Sequence, residues 1–191
     1  MVGGSGTKES ATGTNPATAD VKVSVTAYSR SGEKFDAITN ALKTIKDDIL
    51  SGDNSCSRWL SGGLATVTEY VDILLNAGNY GVAAIGNGEI AAFVGNNIQD
   101  QTPIDGLPSD ASITVGAFVA FFNKGFVEGP KGYQGGSIQA QTFIFIHELA
   151  HSLQIPGFLA DAGIPENGKS NNALIQANCG KQISALGKKK K

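Results

Sequence analysis

The chain has 191 residues, of which 41% are hydrophobic and 17% are charged, a composition typical of a globular protein rather than a disordered one. The net charge is −2 and becomes −6 without the four terminal lysines Lys188–Lys191, which argues against nucleic acid or an anionic membrane surface as a partner. No apolar run is long enough for a transmembrane helix, so we expect a soluble monomer.

The two ends of the chain differ in composition from the part between them. Residues 1–20 are mostly Gly, Ser, Thr and Ala without periodicity, which predicts a flexible leader. Residues 21–187 are expected to form a single domain, and residues 188–191 a lysine tail. The leader has no apolar segment of the signal-peptide kind. Low charge and many Gly, Ser, Thr and Asn residues favour an exported protein, so we expect a secreted or periplasmic protein whose export signal has already been removed.

The two cysteines, Cys56 and Cys179, lie far apart in the sequence. A disulfide between them would close most of the domain and stabilise it by about 4–5 kcal/mol in the chain-entropy model. The alternative is a pair of free buried thiols, the usual state in a cytosolic protein. We predict the disulfide.

Apolar periodicity predicts the elements of the first part of the domain. Alternation of apolar and polar residues at Val21–Ala27 favours a strand. Apolar residues spaced by three and four positions predict amphipathic helices at Glu33–Leu50 and Leu64–Asn76. Trp59, which lies between the two helices, is expected to belong to the core.

The pattern changes to strands after the second helix. Apolar runs at Gly81–Ile85 and Glu89–Val94 flank Gly86-Asn87-Gly88, which predicts a β-hairpin. A polar loop at Asn96–Asp110 and a long strand at Ser112–Phe122 follow. This order of elements favours an α+β fold with an antiparallel or mixed sheet packed on helices.

One pentapeptide, His147-Glu148-Leu149-Ala150-His151, carries the clearest chemistry. It lies in an apolar segment that predicts a buried helix from about Ser137 to just before Pro156-Gly157. Histidines four residues apart share one face of a helix and can hold a metal ion, and the glutamate can then deprotonate a metal-bound water. Both histidines of the chain lie here. Metal binding is favoured over two ordinary core histidines, because polar groups on a buried helix need partners.

The stretch resembles the active-site helix of the zincin metallopeptidases, with uncharged Ile146 before the motif and apolar Leu153 two residues after it. The resemblance implies a small zincin-like domain that contains the H-E-x-x-H helix. It also implies a hydrolase of the metalloprotease type that acts on a peptide or protein substrate. Zn²⁺ is then held by His147 and His151, and Glu148 is the general base on the zinc-bound water.

Catalytic zinc usually has three protein ligands, and the third must be a carboxylate, because the chain has no third histidine and its cysteines are expected to pair. Metzincins place a ligand six residues after the second histidine, where this chain has Gly157. Thermolysin-like gluzincins place a Glu on a later helix, which is predicted here at about Ser170–Leu186 and contains no acid. Two acids remain in the intervening loop, Asp161 and Glu166.

Asp161 follows His151 by ten residues, and Pro156-Gly157 can turn the chain back toward the metal. Its position resembles that of the Asp ligand of the aspzincins, although Leu159-Ala160 stands where those proteins have Gly-Thr. We predict Asp161 as the third ligand, with Glu166 and an upstream carboxylate as the alternatives.

Two further roles are predicted from the resemblance. A peptidase needs a donor for the developing oxyanion, and Tyr133 in a glycine-rich loop is the candidate, with an exposed loop tyrosine as the alternative. In zincins a strand upstream of the helix lines the cleft and pairs with the substrate. Ser112–Phe122 is either that strand or an internal one. The alternative function is a catalytically inactive zincin-fold module that binds zinc or a partner.

Overall fold

The computed structural model describes residues 28–29, 32–63, 66–77, 80–83, 92–95, 112–116, 119–161 and 164–188. These residues form an α+β structure that is mostly helical. Several predicted segments lie outside the described residues: the leader, the strand Val21–Ala27, the loop Asn96–Asp110 and all but the first residue of the lysine tail.

Two amphipathic helices are found where periodicity predicts them. In chain order the described elements are β1 (Tyr28–Ser29), α1 (Glu33–Thr44), α2 (Ser55–Leu60), α3 (Val67–Ala77), β2 (Tyr80–Ala83), β3 (Ala92–Gly95), β4 (Ser112–Gly116), β5 (Val127–Glu128), β6 (Tyr133–Gln134), α4 (Ile138–Ser152) and α5 (Pro165–Ala185). A π-helical turn, Ile45–Ile49, extends α1. The helix predicted at Glu33–Leu50 therefore comprises α1 and this turn, and the one predicted at Leu64–Asn76 is α3.

Four strands form a mixed sheet in the order β1-β2-β4-β3. Strand β2 runs parallel to β4, with Tyr80 opposite Ile113, whereas β1 and β3 pair antiparallel with β2 and β4 respectively. The predicted hairpin is therefore wrong: both apolar runs contain a strand, but β4 lies between them. A central strand pairs along both of its backbone edges. Because β4 follows both runs in the sequence, the turn sequence between the runs, which lies outside the described residues, cannot indicate that β4 lies between them.

Strand β4 is shorter than predicted and is internal. The strand predicted at Ser112–Phe122 ends at Gly116, and the N–H of Phe122 donates to the carbonyl of Val119 in a following turn (3.0 Å). Because β4 has a neighbour on each side, the internal alternative is confirmed. Within the strands that the structure describes, β3 pairs antiparallel with β4 at the edge of the sheet and contacts α4.

Helix α4 is buried on almost every side, as predicted from its apolar sequence. All residues from Ala140 to Ile146 are buried, as are Leu149 and Ala150. Each large apolar side chain buried in this way contributes about 1.5–3 kcal/mol. Large side chains of other elements complete the core around the helix: Ile38, Leu42, Ile45, Ile49, Leu60, Tyr70, Leu74 and Phe121.

Both ends of α4 are fixed by local hydrogen bonds. Ser137 is the N-cap, and its side chain accepts from the N–H of Ala140 (3.2 Å). At the other end, the N–H of Gln154 donates to the carbonyl of His151 and that of Ile155 to the carbonyl of Ala150 (both 3.0 Å). This is a Schellman motif with Gln154 in the left-handed conformation, at φ 50°. The motif turns the chain sharply after the second histidine.

Helix α5 is tied to α2 by the predicted disulfide, which is present between Cys56 and Cys179. Cys56 is placed by Asn54, the N-cap of α2, whose side chain accepts from the N–H groups of Cys56 and Ser57. Pro165 occupies the first turn of α5, a position where its missing N–H is not needed. Among the helices that the structure describes, none combines the length and apolar character needed to cross a membrane.

Candidate metal centre

Three polar side chains converge beside α4: His147 and His151 of the helix and Asp161 of the loop that follows it. Nε2 of His147 lies 3.2 Å from Nε2 of His151. The carboxylate of Asp161 places Oδ2 2.9 Å from the first nitrogen and Oδ1 3.1 Å from the second. The structure thus brings together the two histidines and the acid that the sequence predicts as the third ligand.

The donor set and its spacing fit a tetrahedral metal ion. Zinc bonds of about 2.0–2.1 Å place neighbouring ligand atoms about 3.3–3.5 Å apart. The observed separations of 2.9–3.2 Å are a few tenths of an ångström shorter, so the side chains need to move apart only slightly. Two imidazole nitrogens and one carboxylate are also a donor set that suits zinc.

The tautomer of His147 strengthens this fit. Its Nδ1 lies 2.9 Å from Oδ1 of Asn172 on α5, and an amide oxygen only accepts, so Nδ1 carries the hydrogen. In the neutral ring, Nε2 then presents a lone pair to the carboxylate of Asp161. Two acceptors at this distance repel each other unless the ring is protonated or a cation lies between them. A divalent ion would satisfy all three side chains at once.

The electrostatics of the metal-free cluster favour positive charge beside Asp161. Burial lowers the pKa of His147, but the hydrogen bond with Asp161 and the negative charges of Glu148 and Asp161 outweigh it, and the pKa is raised. Burial raises the pKa of Asp161, but hydrogen bonds with both histidines outweigh it and hold the pKa well below its usual range. Positive charge is stabilised at this point of the fold.

Glu148 follows His147 on α4, and the pKa of its carboxyl group is raised. Burial is the main cause that raises its pKa to about 8; His147 opposes the shift, and the charges of Asp161 and Glu128 add to it. Protein atoms surround the carboxyl group, yet the residue keeps some exposure to solvent. A cation at the three neighbouring ligands would lower this pKa, because it favours the charged carboxylate.

An aromatic wall covers the two imidazoles. The ring of Phe158 lies edge-on to both, with centroids 5.1 Å from His147 and 4.7 Å from His151. Trp59 packs behind it at 6.1 Å, half-buried against the core as predicted. These apolar rings limit the access of water to one side of the cluster and hold the imidazoles in place.

The structure places the other two predicted residues away from the cluster. Glu166 lies in the first turn of α5, not in a loop, with its side chain 80% exposed and paired with Lys169 at 2.8 Å. Tyr133 lies on β6, where its ring packs on Phe143 and its hydroxyl is 3.0 Å from Oγ of Ser184 on α5. The contacts of this hydroxyl are with α5 and none is with the three converging side chains.

Some residues of the centre were not singled out from the sequence. Asn171 and Asn172 contact Asp161 and His147 respectively, and Glu128 lies close enough for its charge to act on His147 and Glu148. The sequence contains one signal for Asn171: it lies four residues before a stripe of buried residues spaced four apart. A polar side chain on such a buried stripe needs hydrogen-bond partners. That stripe is Ile175, Cys179 and Ile183.

Comparisons with known proteins give no family for the chain. A scan against protein-family models and searches of curated proteins and solved structures found no match. The geometry of the cluster is therefore the basis for assigning a function.

Proposed function

We propose that the protein is a zinc-dependent peptidase with a zincin-like fold, in which His147, His151 and Asp161 hold the ion. The observation that carries the proposal is the convergence of two imidazole nitrogens and a carboxylate, with all three ligand atoms within 4.8 Å of one another. Three protein ligands leave a fourth position open, as catalytic zinc requires. Zn²⁺ bound there would polarise a carbonyl group and acidify water.

Glu148 is the general base in this proposal. It follows His147 on the helix, and burial raises its pKa to about 8 in the metal-free protein. A bound cation would lower this pKa, so the carboxylate would be ionised near neutral pH and able to accept a proton. It accepts a proton from the attacking water and returns it to the leaving amine. The partial enclosure of its carboxyl group limits exchange of this proton with bulk solvent.

The proposed substrate is an extended peptide that pairs with β3. This strand is the edge of the described sheet, runs antiparallel to β4 and contacts α4. The free edge of a strand offers N–H and C=O groups in a row, which a peptide can use by strand addition. An edge strand beside the helix that carries the ligands is the arrangement expected of a zincin cleft.

The disulfide supports an oxidising environment. We therefore propose a secreted or periplasmic protein that acts on peptides or proteins outside the cytosol.

The test compares digestion of casein or a peptide library by the zinc-loaded chain and by Glu148→Gln, each with and without a chelator. The parent is expected to cleave in a chelator-sensitive way, and the variant to keep zinc while the rate falls about 10²–10⁴-fold. Glu166→Gln makes the same chemical change on an exposed residue and should retain the full rate.

Two results would contradict the proposal. Unchanged cleavage by Glu148→Gln would remove its general base. Stoichiometric zinc in a parent that cleaves nothing would favour the alternative, a zinc-binding module without turnover.

A further inference from the structure

Asn171 is a polar side chain completely enclosed in the protein. Its exposure is 0%, as is that of the apolar Ile175 one turn later. Leaving a buried amide without hydrogen-bond partners costs about 1–3 kcal/mol, so this residue is tolerated on a core-facing stripe of α5 because of the bonds it makes.

All of those bonds are with the loop that carries Asp161. Oδ1 of Asn171 accepts from the N–H of Leu159 (2.9 Å), and Nδ2 donates to the carbonyl of Leu159 (2.7 Å). The second hydrogen of Nδ2 is directed to Oδ2 of Asp161 (2.9 Å). One carboxamide thus fixes both the backbone two residues before the ligand and the ligand carboxylate itself.

The next residue contacts the other end of the cluster. Oδ1 of Asn172 accepts from Nδ1 of His147 (2.9 Å). Successive helix residues point in directions about 100° apart, so Asn171 contacts the loop while Asn172 contacts α4. Helix α5 therefore supports two of the three ligands through adjacent amides.

We propose that Asn171 is a positioning residue of the metal centre, which orients Asp161 so that one carboxylate oxygen faces each histidine, and that Asn172 fixes the tautomer of His147. The inference rests on the proposed function, because it presumes that the cluster binds a metal. Without Asn171 the carboxylate loses a donor and the loop loses two backbone bonds, so Asp161 is free to rotate away. Groups that orient metal ligands commonly account for about 10–100-fold in metal affinity.

The experiment measures Zn²⁺ affinity by competition with a chromophoric chelator, together with the visible absorption of the Co²⁺-substituted protein. Asn171→Ala should bind zinc about 10–100-fold more weakly and give an altered cobalt spectrum, which reports ligand geometry rather than stability. Asn171→Asp keeps the acceptor for Leu159 but places a carboxylate beside that of Asp161, and should lose at least as much.

Two control variants remove one hydrogen bond each without touching a ligand. Asn167→Ala removes a bond to the carbonyl of Ala160 in the same loop (2.7 Å), and Asn178→Ala removes one to the carbonyl of Leu174 on α5 (2.9 Å). Asn178→Ala should bind zinc as the parent does and keep its cobalt spectrum. Asn167→Ala, which loosens the loop but keeps the donor to Asp161, should lose less zinc affinity than Asn171→Ala.

The outcomes separate this inference from the proposed function. Parent-like zinc affinity and cobalt spectrum in folded Asn171→Ala would overturn the positioning role, as would an equal loss in Asn167→Ala. If Asn171→Ala does not fold, Asn172→Ala and Asn171→Asp decide by the same two measurements. Failure of the parent itself to bind zinc would overturn the proposed function and this inference together.

Discussion

Nε2 of His147 lies 2.9 Å from Oδ2 of Asp161, although the two residues are separated by 14 positions and belong to different elements. The turn at Gln154 reverses the chain directly after the second histidine, and Asn171 holds the returning loop in place. The three side chains of the cluster therefore come from a helix and from the loop joined to it by this turn, which are consecutive in sequence.

Asp161→Asn is expected to abolish stoichiometric zinc binding. The amide keeps the shape of the carboxylate but loses its negative charge, and the loss should exceed the about 10–100-fold that removal of a supporting residue causes. Metal analysis after dialysis against a zinc buffer measures it. Glu166→Gln is the matched control, because this exposed acid lies outside the cluster and, among the described residues, forms its ion pair with Lys169. Zinc loss in the control with retention in Asp161→Asn would reverse the ligand assignment.

Zinc affinity should fall as the pH falls, because protons compete with the metal for His147. The pKa of His147 is raised in the metal-free protein, so competition should begin at a higher pH than for an isolated histidine and vanish above it. Zinc titrations between about pH 5 and pH 9, with NMR titration of the histidine ring protons, measure this. Asp161→Asn should lower the pKa of His147; an unchanged value would contradict the role given to this contact.

Replacing both cysteines by serine should destabilise the protein and also weaken zinc binding. The disulfide joins residues 123 positions apart, and its loss should lower the free energy of unfolding by up to about 4–5 kcal/mol. Because Cys179 shares α5 with Asn171, a less constrained helix should hold Asp161 less well. Denaturant unfolding and zinc titration check both effects. Reductant should lower the stability of the parent but not that of the double variant. Equal zinc affinity in the two proteins would show that the disulfide does not affect the metal centre.

Gln154→Gly should stabilise the protein by about 1 kcal/mol, because a side chain in the left-handed conformation is strained whereas glycine is not. The melting temperature should rise by about 2–4 °C for a chain of this size. Lys181→Gly is the control: it lies exposed in the interior of α5 and should cost about 1 kcal/mol. A lower melting temperature for Gln154→Gly would show that the side chain makes a stabilising contact.

Gly135→Ala should destabilise the antiparallel pair of strands β5 and β6, which contacts α4, by about 1–3 kcal/mol or more. An added Cβ would lie 2.1 Å from the carbonyl oxygen of Asn123 and 2.9 Å from that of Ala120, and backbone atoms cannot move aside as side chains do. Gly52→Ala, where the added atom meets open space, is the control and should be nearly neutral. Equal melting temperatures for the two variants would contradict the close packing.

Local sequence pattern identifies the residues whose surroundings are set by nearby parts of the chain. Burial of α4 and the placement of His147 and His151 on one face follow from periodicity and spacing. Asp161 was predicted because few acids follow the motif, and the turn after α4 brings it back. These features depend on residues that are close together in the sequence.

The features that could not be predicted depend on where distant elements pack. The strand order separates β2 from β3 by a strand that begins at Ser112, and no turn sequence encodes that choice. Asn171 and Tyr133 acquire their partners only when α5 packs beside α4. Helix α5 begins at Pro165, but its apolar stripe begins only near Ile175. Because the helix was predicted from its apolar residues, Glu166 was placed in the preceding loop.

The close spacing of the ligands along the chain also bears on the order of folding. The segment from His147 to Asp161 has 15 residues, and closing a loop of this length takes well under a microsecond and costs less entropy than closing a longer one. The parallel pairing of β2 with β4, by contrast, joins Tyr80 to Ile113 and is slow to form. An ion captured by the short segment would hold the end of α4 and its loop together while the sheet is still assembling.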